Sequence, residues 1–359
     1  MPTWSGVGSE IQRLVREQTR PGAPAVDPTA PGPYDIVRRK YLAEFSQHTG
    51  RPVIVYASGF LEGRPVPDPS LVSVTTRDVM GFMECVKGLP RGPLDLIIHS
   101  PGGDGDAARA IMKYLRAEGF DDIRAMVPVA AMSAGTMMAL SCNEIYMGHH
   151  SQLGPIDPQF TLATPDGPRS SPAQAILDQF ERAKTECAAN PSVLNAWLPI
   201  LRSYGPGLLS QCKSAQDLAE SMVAEAMTEH MFNGQPDAEP KSKAIAEWFN
   251  DHKTHLSHGR PLAYEDVVAQ GVRVTLFEDD RVFQDKVLSA WHGVQHTLTS
   301  VAVNKIIENH EGKAWIVQGS PGLVMLGPQP GGSPTIPGRP PTAPQPLPGG
   351  NRAARRARP

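Results

Sequence analysis

Apolar residues in the first half of this chain fall into two rhythms. Short runs rich in β-branched residues, Val53-Ile54-Val55-Tyr56, Leu94 to Ile98 and Ile123 to Val129, read as strands. Glu144-Ile145-Tyr146-Met147 reads as a fourth. Between them the spacing turns helical. Thr75 or Thr76 caps a helix through Val79, Phe82, Met83 and Val86 that Gly88 and Pro90 end. Ala107 to Glu118 puts Ala108, Ile111, Met112 and Leu115 on one face before Gly119 stops it. A third helix starts at Ala134 and runs through Met137, Met138 and Leu140. In Leu94 to Ile98 only Asp95 is polar, which suits a strand covered on both faces. Strand, helix, strand with short connections means right-handed βαβ crossovers in an α/β fold. Ligands of such sheets sit at the carboxyl ends of the strands.

The flanks are mostly helical. Tyr34 to His48 carries Ile36, Tyr41, Leu42 and Phe45 at helical spacing. After a polar loop at Thr161 to Ser171, helices are expected over Pro172 to Ala188, Leu194 to Arg202, Ala215 to Phe232 and Lys241 to Leu256. Ser257-His258-Gly259-Arg260-Pro261 makes a turn. Tyr264 to Gln270 is a short helix, Val272 to Phe277 a late strand, and Arg281 to Asn309 one long amphipathic pattern. The division is a partly disordered arm over 1–33 with a possible helix at Ser9 to Gln18, a body over 34–317, and a Pro/Gly-rich tail over 318–359 read as disordered.

Composition narrows the function classes. The net charge of −3 conceals a basic tail. Without Arg339, Arg352, Arg355, Arg356 and Arg358, 29 basic residues face 37 acidic ones, a balance of −8. An acidic body argues against nucleic-acid binding, while the tail is a possible peripheral membrane contact. Cys85, Cys142, Cys187 and Cys212 form no C-x-x-C pair, so neither a zinc nor a disulfide framework is expected. Asp104 and Asp106 read as helix caps, not a metal pair. No cofactor and no metal are expected. With no basic-then-apolar leader, the expected location is cytoplasmic.

Two turns carry candidate chemistry. The first strand end, His99-Ser100-Pro101-Gly102-Gly103, can offer bare backbone N–H groups. The second, Ala131-Met132-Ser133-Ala134-Gly135-Thr136, presents a hydroxyl among small residues. Donors beside a serine are the layout of acyl transfer: Gly102, Gly103 and Ala134 would hold an oxyanion while Ser133 attacks.

These two turns, together with Asn143 to Gly148 and Ser151-Gln152-Leu153-Gly154-Pro155-Ile156-Asp157-Pro158-Gln159, resemble the serine dehydrogenase proteinase family. That family is a signal peptide peptidase A-like branch of the ClpP/crotonase superfamily. The resemblance spans about residues 50–310. It implies a ClpP/crotonase-like spiral of ββα units with added C-terminal helices. It also implies self-association into a homo-oligomer, and serine peptidase chemistry on peptides or unfolded protein through an acyl-enzyme. Where the protease form of the superfamily takes its histidine, this chain has Ile156-Asp157-Pro158. The peptidase A relatives use a lysine about fifty residues beyond the serine, which lands on Lys184. Independently, Ala173, Ile176, Phe180 and Cys187 mark one helix face, and Lys184 falls on that same face. Burial there would lower its pKa and free a lone pair to take the serine proton. His99, His149 and His150 are rival bases, and Asp157 either binds backbone or orients the base. The alternatives to a Ser-Lys peptidase are a crotonase-like acyl-CoA enzyme with an acidic pair in its pocket, an α/β-hydrolase esterase, and a catalytically inactive assembly scaffold.

Overall fold

A computed structural model of the chain describes residues 3–23, 27, 30–66, 68–164 and 167–318, with the backbone of 324–326. The strands in chain order are Val53–Ser58 (β1), Pro93–His99 (β2), Asp122–Val127 (β3), Ala130–Ala131 (β4), Glu144–Met147 (β5), Gln152–Leu153 (β6), Gln159–Thr164 (β7), Gly167–Pro172 (β8), Val274–Leu276 (β9), Val303–Asn309 (β10), Ala314–Gln318 (β11) and Val324–Leu326 (β12). The helices are Trp4–Thr19 (α1), Pro33–Thr49 (α2), Asp78–Val86 (α3), Gly105–Ala117 (α4), Ala134–Leu140 (α5), Ala173–Ala189 (α6), Leu194–Leu201 (α7), Leu208–Ala226 (α8), Ala238–Asn250 (α9), His252–His255 (α10), Tyr264–Ala269 (α11) and Arg281–Ser300 (α12).

One eight-stranded sheet runs β12-β11-β10-β1-β2-β3-β5-β9. From β1 to β9 every pairing is parallel; β10, β11 and β12 extend it antiparallel beyond β1. The period-two geometry of β1 explains the two layers around it. Ile54 and Tyr56 face a core with Phe82, Ile111, Leu115 and Met138. Val53, Val55 and Ala57 face another with Val37, Leu42, Phe45, Trp291 and Val294. Strands covered on both sides need few polar residues, as the runs in β1 and β2 show. Beyond β3 and β5 the chain makes a second, short parallel pairing, β4 with β6, continued by bridges from Ser100 to Ala131 and from Leu153 to Leu262. The mixed α/β architecture and its mostly parallel sheet are therefore as the residues and the resemblance led us to expect.

Several elements differ from the reading of the sequence. The supposed polar loop at 161–171 is an antiparallel hairpin of β7 and β8. The long pattern over 281–309 is a helix that ends at Ser300, followed by a strand buried along its whole length. The switch occurs where Val303, Ile306 and Ile307 bring β-branched side chains into the middle of the sheet. The helix expected within the arm is longer and is docked, with Val7 and Ile11 buried. The expected disorder of 318–359 falls outside the described residues, apart from Gln318 and the backbone of β12, which pairs with Trp315–Val317. No described helix is long and apolar enough to cross a membrane.

Candidate active site

Both special turns lie where β2 and β3 end, and the fold presses them together. Gly102 (φ 101°) and Gly103 (φ 143°) hold backbone conformations that a side chain would strain. A Cβ on Gly102 would lie 2.6 Å from Ser133 Cβ and 2.9 Å from the Met132 carbonyl oxygen. Only glycine permits so close an approach. Ser133 sits at the start of α5 with φ 50° and ψ −114°, and its hydroxyl makes no capping bond to the helix. Among the described residues only Ser133 and Leu256 are non-glycine residues with positive φ. Such strain persists only where the surroundings enforce it, and it concentrates at functional sites.

The N–H groups are not equivalent. Gly102 donates to Ser100 Oγ at 3.1 Å, so that amide is already engaged. Among the described residues no acceptor takes the N–H of Gly103 or of Ala134. The donor pair expected at Gly102 and Gly103 is thus narrowed to Gly103, with Ala134 beside it. A Gly103→Ala Cβ would meet the Val74 backbone at 2.4 and 2.6 Å, atoms that cannot step aside. We expect this substitution to open the bridge between Val74 and Gly103. It should lower the rate at which a fluorophosphonate acylates Ser133 by about 10²–10³-fold, as for loss of one oxyanion donor.

Lys184 does not reach this site. Its side chain is 66% exposed and pairs with Glu181 at 3.1 Å on the surface of α6. The buried residues of α6 are Ala173, Ile176 and Ala183. The apolar stripe therefore steps by three from Phe180 to Ala183, not by four to Lys184, and the lysine flanks the stripe. His149 and His150 are also outside, the first 3.1 Å from exposed Glu265 and the second 3.9 Å from Glu278. His99 is buried between the rings of Phe60 and Trp291, and its Nδ1 has no hydrogen-bond partner among the described residues. It packs in the core behind the turn and does not line the cavity that holds Ser133.

Burial pulls the His99 pKa down to about 3, so the ring is neutral in the folded chain. In the unfolded chain it takes a proton near 6.5. Its contribution is therefore intact above that pH and is lost progressively as pH falls from about 6.5 toward 3. Each unit in that window removes up to about 1.4 kcal/mol of stability. Urea unfolding of His99→Gln should show a shallower decline across the window than the unaltered chain.

A different histidine shares the cavity with Ser133. The cavity, of about 390 Å³, is lined by Gly103, Ser133, Asp157, Gln159 and His258, with Met137, Ile156 and Met222 as apolar wall. Asp157 is buried. Its Oδ1 lies 2.7 Å from His258 Nδ1, and its Oδ2 accepts from Gln159 Nε2 at 2.9 Å. His252 Nδ1 is 3.3 Å from Oδ2 but lacks hydrogen-bond alignment. A carboxylate oxygen accepts, so His258 Nδ1 is the donor of that bond and Nε2 is the ring nitrogen left for other partners. Leu256, the other strained residue, lies two positions before His258 and closes α10 in the left-handed conformation. Asp104 is engaged as the cap of α4, accepting from Asp106 N–H and Ala107 N–H. The described residues contain no cluster suited to a metal ion.

Residues 72–196 match the family described as ClpP-like SDH-type serine proteinase. Two uncharacterized proteins of Methanocaldococcus jannaschii are similar. One is 27% identical over 64% of this chain and 73% of its own length. The other is 26% identical over 54% of this chain and 58% of its own. A mutant of the 1510-N membrane-bound stomatin-specific protease superposes loosely. Its TM-score is 0.34 at 16% identity, over 60% of this chain and 79% of that one.

Proposed function

We propose that this chain, whose residues 72–196 match the ClpP-like SDH-type serine proteinases, is a serine peptidase in which Ser133 is the nucleophile, His258 its base and Asp157 the residue that orients the base. The observation that carries this reading is the strained Ser133 sharing one cavity with a histidine whose Nδ1 is held by a buried carboxylate.

The steps follow from that assignment. His258 Nε2 takes the Ser133 proton as Oγ attacks the scissile carbonyl. The oxyanion that forms is held by the N–H groups of Gly103 and Ala134, which have no acceptor among the described residues. The imidazolium is stabilised by Asp157 and returns its proton to the leaving amine. Water then attacks the acyl-enzyme by the same route. This reading replaces the Ser133–Lys184 dyad expected from the resemblance. An acyl-CoA reaction would call for a free acidic pair in the cavity. Asp104 is occupied by the α4 amides and Asp157 by His258 and Gln159, which leaves Asp106 as a single carboxylate on the lining.

The test is to incubate the full chain with unfolded casein and, separately, with a fluorophosphonate. Peptide cleavage with the probe mapped to Ser133 by mass spectrometry supports the proposal. Cleavage without modification of Ser133, or neither, sinks it.

A further inference from the structure

The oxyanion turn is braced by a buried lysine that takes no part in the chemistry above. Lys305 on β10 is buried, and its Nζ donates to both oxygens of Asp78 at 2.9 Å and to the Ser73 carbonyl at 2.6 Å. Asp78 Oδ2 also accepts from the Thr75 N–H at 2.9 Å and from Tyr56 Oη at 2.8 Å. Lys305 and Asp78 therefore clamp Val74 from both sides, through Ser73 and Thr75. Val74 in turn donates its N–H to the Gly102 carbonyl at 2.7 Å, and its own carbonyl accepts from Asp104 N–H at 3.0 Å.

The peptide joining Gly102 to Gly103 is planar, with its C=O and N–H pointing in opposite directions. Holding the Gly102 carbonyl on Val74 consequently aims the Gly103 N–H the other way. On its other side the turn is held by Ser100, whose Oγ accepts from the Gly102 N–H at 3.1 Å. Burial, aided by Asp78, raises the Tyr56 pKa well above its usual value, so the phenol stays protonated and donates to Asp78.

We propose that Lys305, Asp78 and Tyr56 are positioning residues that hold the Gly103 N–H on the oxyanion, from a place in the core where none of them touches substrate. The inference rests on the reading of Ser133 as nucleophile and Gly103 as oxyanion donor.

The test follows fluorophosphonate labelling of the full chain at several probe concentrations, separating the maximal rate of acylation from half-saturation. Wild-type labelling that disappears in Ser133→Ala secures the underlying reading; no wild-type labelling removes that reading and this inference with it. Given labelling, Tyr56→Phe and Lys305→Met should each lower the maximal rate fivefold or more, with half-saturation within about twofold. A smaller drop in the maximal rate in folded variants overturns the proposal, whatever half-saturation does. Lys305→Met leaves Asp78 buried without its partner. If it does not fold, Tyr56→Phe decides alone, because it removes a single oxygen.

Discussion

Ser133→Ala is expected to abolish fluorophosphonate labelling and to lower peptide hydrolysis by about 10³-fold or more, the scale seen when a nucleophile is removed from a coupled catalytic set. The change deletes one oxygen and keeps the Cβ that Gly102 already accommodates. Ser133 Oγ makes no cap bond to α5, so no helix contact is lost. Thermal unfolding should therefore move little while activity vanishes. A variant that retained hydrolysis would show that the strained φ of 50° serves some purpose other than nucleophilic attack. If labelling persisted on another residue, the converged turns would be a structural coincidence.

His258→Ala is expected to lower the same rates by about 10²–10⁴-fold, the range for loss of a general base. Lys184→Ala should leave them within about twofold. The contrast tests the choice of base directly. Lys184 lies on the surface with Glu181, and an exposed pair of this kind contributes about 0–1 kcal/mol. His258 loses its hold on a buried carboxylate when truncated, so some loss of stability accompanies the loss of rate. Measuring acylation at a temperature well below unfolding separates the two. Loss of activity in Lys184→Ala with full activity in His258→Ala would reverse the assignment and require α6 to bring its lysine inward.

The sites legible in the sequence were those made by neighbours in the chain. Two glycines after a strand and a serine among alanines state their conformations locally, and the βαβ order brings both turns to one lip of the sheet. His258 was not legible because its significance is an encounter at long range. It lies 125 residues beyond Ser133, in a turn that reads as an ordinary Ser-His-Gly-Arg-Pro loop. Asp157 carried the available signal. A carboxylate in the apolar Gly154-Pro155-Ile156-Asp157-Pro158 run needs a partner, and a search for its histidine across the chain would have included His252 and His258. Lys184 failed for a periodic reason. A step of three and a step of four from Phe180 are both helical, and only packing chooses between them. The hairpin at 159–172 was missed because β7 and β8 are half-buried at most and show weak alternation.

The pairing of β10 with β1 bears on how the molecule comes into being. During synthesis β1, β2 and β3 leave the ribosome long before residues 303–309 do. Until those residues arrive, one flank of β1 is an unsatisfied edge, and the Asp78 carboxylate waits without its ammonium. The oxyanion turn is clamped only when Lys305 joins it. On the clamp proposed above, a nascent fragment that carries Ser133, Asp157 and His258 but not yet Lys305 should acylate more slowly than the chain that includes it.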